Sequence, residues 1–281
     1  MLDCSLYMFV LCRVTCAIDA TATHEAKPTA YRASAMIART MQHTLLLFDI
    51  DATLLKTHGA GMRCMAMIAV EMFGDTFRWG GIDPSGKLDP MIIAEALALN
   101  GIDASDEIQE QFRVQYLRRL QEELIACADQ VQVMPGVHEL LALLRDREAH
   151  RGDIMLGLLT GNFTAAVPIK LGAIDVDPDW FTITAFGDEA DSRPDMLGLA
   201  MRRYEDHTGH PPCARRVIII GDTNRDIDCA KAHGAVAFAV ATGRCTVEDL
   251  RDHGADVATQ DLSDPSPLLE LIDNSITAAS T

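Results

Sequence analysis

The sequence predicts a doubly wound α/β fold with a helical insert, and three observations carry that prediction. Short apolar runs read as buried parallel strands, and helical patterns separate them. Between roughly residues 59 and 133 the strand signals stop and the pattern becomes helical throughout. A parallel sheet with helices on both faces accounts for the first two, and a module inserted after the first strand accounts for the third.

The first strand is Leu45-Leu46-Leu47-Phe48, which ends abruptly in Asp49 and Asp51. Side chains at i and i+2 of a strand project to the same side, so both acids should emerge together at the carboxyl end of the sheet, where open α/β sheets bind ligands. Gly59-Ala60-Gly61 lacks the third glycine of a dinucleotide fingerprint and reads as a hinge into the insert. Within the insert, Met62–Phe73 is a first helix, and Asp89-Pro90 is expected to cap a second that runs to Asn100. Asp103, with Asp106 three residues on, reads as the capping-box start of a third that ends near Ala128. Met62, Met65, Met67 and Met72 are expected in the core of this module.

A helix over Gly136–Arg147 opens after Pro135. The strand Ile154–Leu159 runs into Thr160-Gly161-Asn162, and Val217–Ile220 runs into Gly221-Asp222 and on to Asp226. The helix Asp226–His233 closes on Gly234, the strand Val236–Val240 leads to Ala241-Thr242-Gly243-Arg244, and a short helix is expected around Leu268–Ile272. The expected division is a Rossmann-like core over 43–58 and 134–272, a helical cap over 59–133, a poorly ordered extension over 1–42 and a tail over 273–281.

Composition limits the function. A formal charge of -17, from 41 acidic against 24 basic residues, repels polyanions and leaves no basic stripe for nucleic acid. A small molecule is the expected partner. No apolar stretch approaches the length of a membrane span. The apolar run Leu6–Cys12 has only Asp3 before it and lacks the basic start of a secretory signal; a true start at Met36 or Met41 is an alternative. Eight scattered cysteines without a CxxC pair fit a reduced, cytoplasmic setting. His207 and His210 have no cysteine partner at ligand spacing and read as a surface loop, and the sequon at Asn162 reads as accidental. Oligomeric state is not legible.

Parallel strand ends should gather Asp49, Asp51, Thr160, Asp222 and Asp226 into one crevice. Four carboxylates held together require a positive charge. Hard oxygen donors without nearby His or Cys select a hard ion, with Mg²⁺ the natural choice and a phosphate-bearing substrate the natural consequence. Thr160 and the backbone amides of Gly161 and Asn162 would donate to phosphoryl oxygens.

The order Asp49-x-Asp51-x-Thr53, a strand ending in Thr160, a basic residue, and Gly221-Asp222-x-x-x-Asp226 resembles the haloacid dehalogenase-like superfamily. The likeness is to its phosphoglycolate-phosphatase-like members with a helical cap, and it extends to Gly86-Lys87-Leu88-Asp89-Pro90, to Met134-Pro135-Gly136-Val137 and to the closing Ala241-Thr242-Gly243 region. The resemblance implies that Asp49 attacks phosphorus to form an aspartyl-phosphate, while Asp51 protonates the leaving alcohol and later deprotonates water. It further implies that Mg²⁺ is held by Asp49, the Asp51 main-chain carbonyl and Asp222, with Asp226 acting directly or through water. Since the superfamily's true dehalogenases lack an acid at the second position, Asp51 favours hydrolysis of a phosphate monoester. The alternatives are a phosphoryl-transferring mutase and a catalytically weak binding or regulatory member.

Two departures stand out. The usual glycine after the second aspartate is Ala52, and the usual phosphoryl-neutralising lysine is replaced by Arg193. Lys170, on the helix after Asn162, is the competing candidate; its ordinary reading is a lysine snorkelling along a helix flank, and Arg193 is preferred. Lys87 and Arg63 in the cap could touch a second charge on the substrate, although solvated positions are the expectation.

Overall fold

A computed structural model describes residues 43–278; the expectations for residues 1–42 and for the last three residues lie outside them. The strands are β1 (Thr44–Phe48), β2 (Leu55–Lys56), β3 (Gln132–Val133), β4 (Ile154–Thr160), β5 (Ile183–Phe186), β6 (Val217–Gly221), β7 (Val236–Val240) and β8 (Val257–Thr259). The α-helices are α1 (Ala60–Phe73), α2 (Asp89–Leu99), α3 (Asp106–Ala126), α4 (Val137–Arg151), α5 (Val167–Gly172), α6 (Arg193–Thr208), α7 (Asn224–Ala232), α8 (Val247–His253) and α9 (Ser266–Ala278).

Six of the strands form one parallel sheet in the order β5-β4-β1-β6-β7-β8. The central strands are apolar on both faces because both faces are covered. Leu46, Phe48, Leu156, Ile218 and Phe238 pack on α4, α5 and α9, whereas Leu45, Leu47, Val217, Ile219 and Ala237 pack on α6, α7 and α8. The chain leaves this core after β2 and returns at β3, and these two short strands pair antiparallel. Between them α1, α2 and α3 enclose a third apolar cluster, which also takes in Phe163 and Ala166 from the core.

Several local expectations need correction. Asp103 does not cap α3: Ser105 holds that position, its hydroxyl accepting from the Ile108 amide at 3.4 Å. Asp89 does not cap α2 either, because it is the first helical residue and its carboxylate accepts from the Phe163 amide at 3.0 Å. A tertiary contact has taken the group that local geometry reserved for the helix end. α7 starts two residues earlier than expected, at Asn224, with Thr223 and Asp226 forming a reciprocal capping box. α4 runs on to Arg151, and Met67 is 43% exposed rather than part of the insert's core.

Candidate active site

The three central strands place the site. Phe48 of β1 lies level with Leu158 of β4 and Ile220 of β6, so the segments that follow these strands converge at one edge of the sheet. Asp49 continues the β1 ladder, its amide donating to Ile220 O at 2.9 Å. Asp49, Asp222 and Asp226 are all buried, and one carboxylate oxygen from each lies within 4.8 Å of the others.

Arg193, buried at the start of α6, answers part of this charge. Its Nη2 lies 3.4 Å from Asp49 Oδ1 and pairs with Asp226 Oδ1. Burial opposes the guanidinium charge, but Asp226 and Asp49 outweigh it and hold Arg193 firmly protonated. Asp226 is fully committed, since its Oδ2 accepts from the Thr223 amide at 3.0 Å and the Thr223 hydroxyl at 2.7 Å. Asp222 is different. Among the described residues its carboxylate has no hydrogen bond and no ion pair, and burial, followed by the neighbouring charges of Asp226 and Asp49, pushes it up to about 8. Burial likewise raises Asp49 to about 6, against the pull of Arg193 and a hydrogen bond from Thr160.

The Asp51 side chain is 45% exposed and lines a cleft of about 820 Å³ between the sheet edge and the insert. The reading of Lys170 as a snorkelling helix lysine is overturned. Only 3% exposed, it points inward, its Nζ 2.6 Å from Asp51 Oδ2 and bonded to Asn162 Oδ1. Desolvating an ammonium is costly unless it is paired, and here the pair is Asp51. Arg193 and Lys170 therefore do not compete for one place; they serve different carboxylates. The Asn162 side chain donates to Asp51 Oδ2 and to Thr160 Oγ1, each at 2.7 Å.

The pattern of the haloacid dehalogenase-like hydrolase family matches residues 43–234. The chain belongs to this family. As a haloacid dehalogenase-like hydrolase it is 31% identical, over 127 residues, to the phosphoglycolate phosphatase of Synechococcus elongatus. That match covers 45% of this chain and 54% of the relative, so the chain aligns with about half the length of that protein. Two solved structures share the fold. The β-phosphoglucomutase of Clostridium difficile superposes with a TM-score of 0.61 at 15% identity, covering 84% of this chain and 99% of that one. A hydrolase from Pseudomonas syringae superposes with a TM-score of 0.59 at 19% identity, covering 82% of this chain and 98% of that one.

In this haloacid dehalogenase-like hydrolase the insert closes on the site through the loop that leads into α2. The Asp89 amide donates to Gly161 O at 2.7 Å, and Arg193 Nη1 donates to Gly86 O at 3.3 Å. Asp89 is buried, and that burial, countered by Lys170, raises it to about 7. Lys87 lines the cleft and pairs with Glu95, while Arg63 is exposed and pairs with Glu123 at 2.9 Å. His207 and His210 are exposed.

Sequence reasoning missed one residue here and gave another no role. Tyr116, buried on α3, lines the cleft from the insert side, and nothing in the helical pattern of α3 marked it. Gly243, three residues past the end of β7, lies against Asp222; the Ala241-Thr242-Gly243 run marked the position but not this contact. Ala52 sits at φ 58°, the left-handed conformation that the family's glycine would adopt without strain.

Proposed function

We propose that the protein is a Mg²⁺-dependent phosphatase that hydrolyses a small phosphate monoester through a phosphoryl group carried transiently on Asp49. The observation that carries this reading is the contrast around the nucleophile position: Asp226 is paired directly with Arg193, whereas among the described residues the Asp222 carboxylate has no hydrogen bond and no ion pair, and Arg193 acts on it only from a distance. A hard-oxygen set with uncompensated negative charge and no His or Cys fits a hard divalent cation. Asp49, the Asp51 main-chain carbonyl and Asp222 would hold Mg²⁺. Bound there, the ion would supply neutralisation of the phosphoryl oxygens. Asp226, with both oxygens engaged, is assigned to holding Arg193 rather than to direct ligation.

The chain's own residues then account for both halves of the reaction. An Asp49 oxygen attacks phosphorus, the bond from phosphorus to the ester oxygen breaks, and Asp51 delivers a proton to the departing alcohol. Asp51 next takes a proton from water, the resulting hydroxide attacks the phosphoryl group, and the bond to Asp49 breaks, releasing phosphate and restoring the carboxylate. Arg193, Thr160 and the amides of Gly161 and Asn162 oppose the charge that builds on the phosphoryl oxygens. The insert shields the covalent intermediate from bulk water. The family, and the name of the Synechococcus relative, support a phosphorylated small molecule as substrate.

The test is phosphate release from p-nitrophenyl phosphate by purified protein with Mg²⁺. Asp49→Asn should abolish release, and full activity in that variant would overturn the mechanism. A mutase would instead move phosphate between positions of a sugar phosphate without net release.

A further inference from the structure

We propose that Lys170 is the positioning residue of Asp51: together with Asn162 it pins one carboxylate oxygen so that the other performs the proton transfers. The inference rests on the phosphatase reading above and divides the two buried cations of the site between its two halves.

The geometry is specific to Asp51. The Lys170 ammonium and the Asn162 amide both donate to Asp51 Oδ2, at 2.6 and 2.7 Å. The Asn162 carbonyl accepts from the same ammonium, and its second N–H donates to Thr160 Oγ1 at 2.7 Å. All three groups of the Asn162 amide and two donors onto one oxygen thus form a closed network. Lys170 makes no ion pair with Asp49 or Asp226, the two acids that Arg193 holds.

The consequence for Asp51 is conformational and chemical. A carboxylate on a side chain with 45% exposure would rotate freely without such anchors. An oxygen that already accepts an ammonium and an amide N–H has no lone pair left for a transferred proton. Oδ1, with no partner among the described residues, is therefore the atom that gives the proton to the leaving oxygen and takes it from water. An anchored acid needs no reorientation between the two half-reactions.

Leaving-group dependence separates this role from a phosphoryl clamp. A group acting through the general acid matters most when the departing oxygen is basic, whereas a phosphoryl clamp matters equally for all esters. We expect Lys170→Met to lower kcat/KM about 100-fold for phenyl phosphate but less than about tenfold for p-nitrophenyl phosphate. Arg193→Met should lower both by the same factor. Asn162→Ala, which removes the other donor, should share the Lys170→Met signature and keeps the test open if one variant folds poorly. In an Asp51→Asn background, Lys170→Met should add almost nothing, because its effect passes through a group already removed. Equal losses on the two esters, or losses that multiply in the double variant, would overturn the assignment while leaving the phosphatase reading intact. If the wild type released phosphate from neither ester, the phosphatase reading would fall and take this inference with it.

Discussion

The backbone of Gly243 lies against the carboxylate of Asp222, so close that a Cβ at position 243 would overlap Asp222 Oδ2. No left-handed φ is involved, so the requirement is for space alone. β6 and β7 are paired, with Gly221 opposite Ala239, which brings the ends of both strands together. Gly243→Ala should push the Asp222 carboxylate aside without unfolding the sheet. The Mg²⁺ concentration for half-maximal phosphate release should rise about tenfold or more, as for other disturbances beside a metal ligand. A variant with unchanged Mg²⁺ dependence would show that Asp222 does not serve the ion.

Removing the Asp222 charge should separate folding from metal binding. Three buried carboxylates repel one another, and among the described residues only Arg193 forms an ion pair with any of them, with Asp49 and Asp226. In EDTA, Asp222→Asn should therefore melt at or above the wild-type temperature. Mg²⁺ at a hundred times its dissociation constant should stabilise the wild type by about 2.7 kcal/mol, a rise of roughly 5–10 °C for a domain of this size, and should leave the variant unmoved. Calorimetric scans with and without Mg²⁺ decide the matter; an equal rise in both proteins would place the ion elsewhere.

The parts legible in the sequence are those where one local signal suffices. β1, β4, β6 and β7 are buried on both faces and appear as continuous apolar runs, and Asp49, Thr160 and Asp222 are marked by the abrupt polar ends of three of them. β5 and β8 lie at or towards the sheet edges with half-buried residues among their few positions, so their patterns did not stand out. Lys170, a candidate in the sequence, could not be tied to Asp51 there for a different reason. Its neighbours describe a helix flank, but its side chain reaches an acid 119 positions earlier in the chain, and only the packing of α5 under the cleft reveals that. Asp89 and Tyr116 depend in the same way on how the insert sits over the sheet, which no window of sequence encodes.

Asp89 should give the protein a distinctive pH dependence of stability. Burial raises its carboxyl from 3.8 in the unfolded chain to about 7 in the fold. A raised carboxyl pKa means that the folded state holds the proton more tightly, so the stability from protonated Asp89 is full below about pH 4 and is lost as pH rises through 7. Asn at this position can still accept from the Phe163 amide but cannot ionise. Asp89→Asn and wild type should melt most nearly alike at pH 4, and the variant should melt several degrees higher at pH 8. A difference between the two that does not change from pH 4 to pH 8 would refute the assignment.

Ala52 offers a stability gain at the turn that carries Asp51. Its φ of 58° places an L side chain in the left-handed region, which costs about 1–2 kcal/mol for residues other than glycine. The turn enforces that geometry: the Ala52 amide donates to Leu55 O at 2.7 Å, and its carbonyl accepts from the Thr242 hydroxyl. Glycine would remove the strain but adds unfolded-state entropy worth about 0.5–1 kcal/mol, so Ala52→Gly should stabilise by about 0.5–1 kcal/mol net and raise the melting temperature by roughly 2 °C. Ala52→Val should do the opposite and by more, because a β-branched side chain tolerates a positive φ least. Urea denaturation of both variants measures the pair directly. If glycine failed to stabilise, the turn would be unstrained, and Ala52 would be a neutral replacement for the family's glycine rather than a strained one.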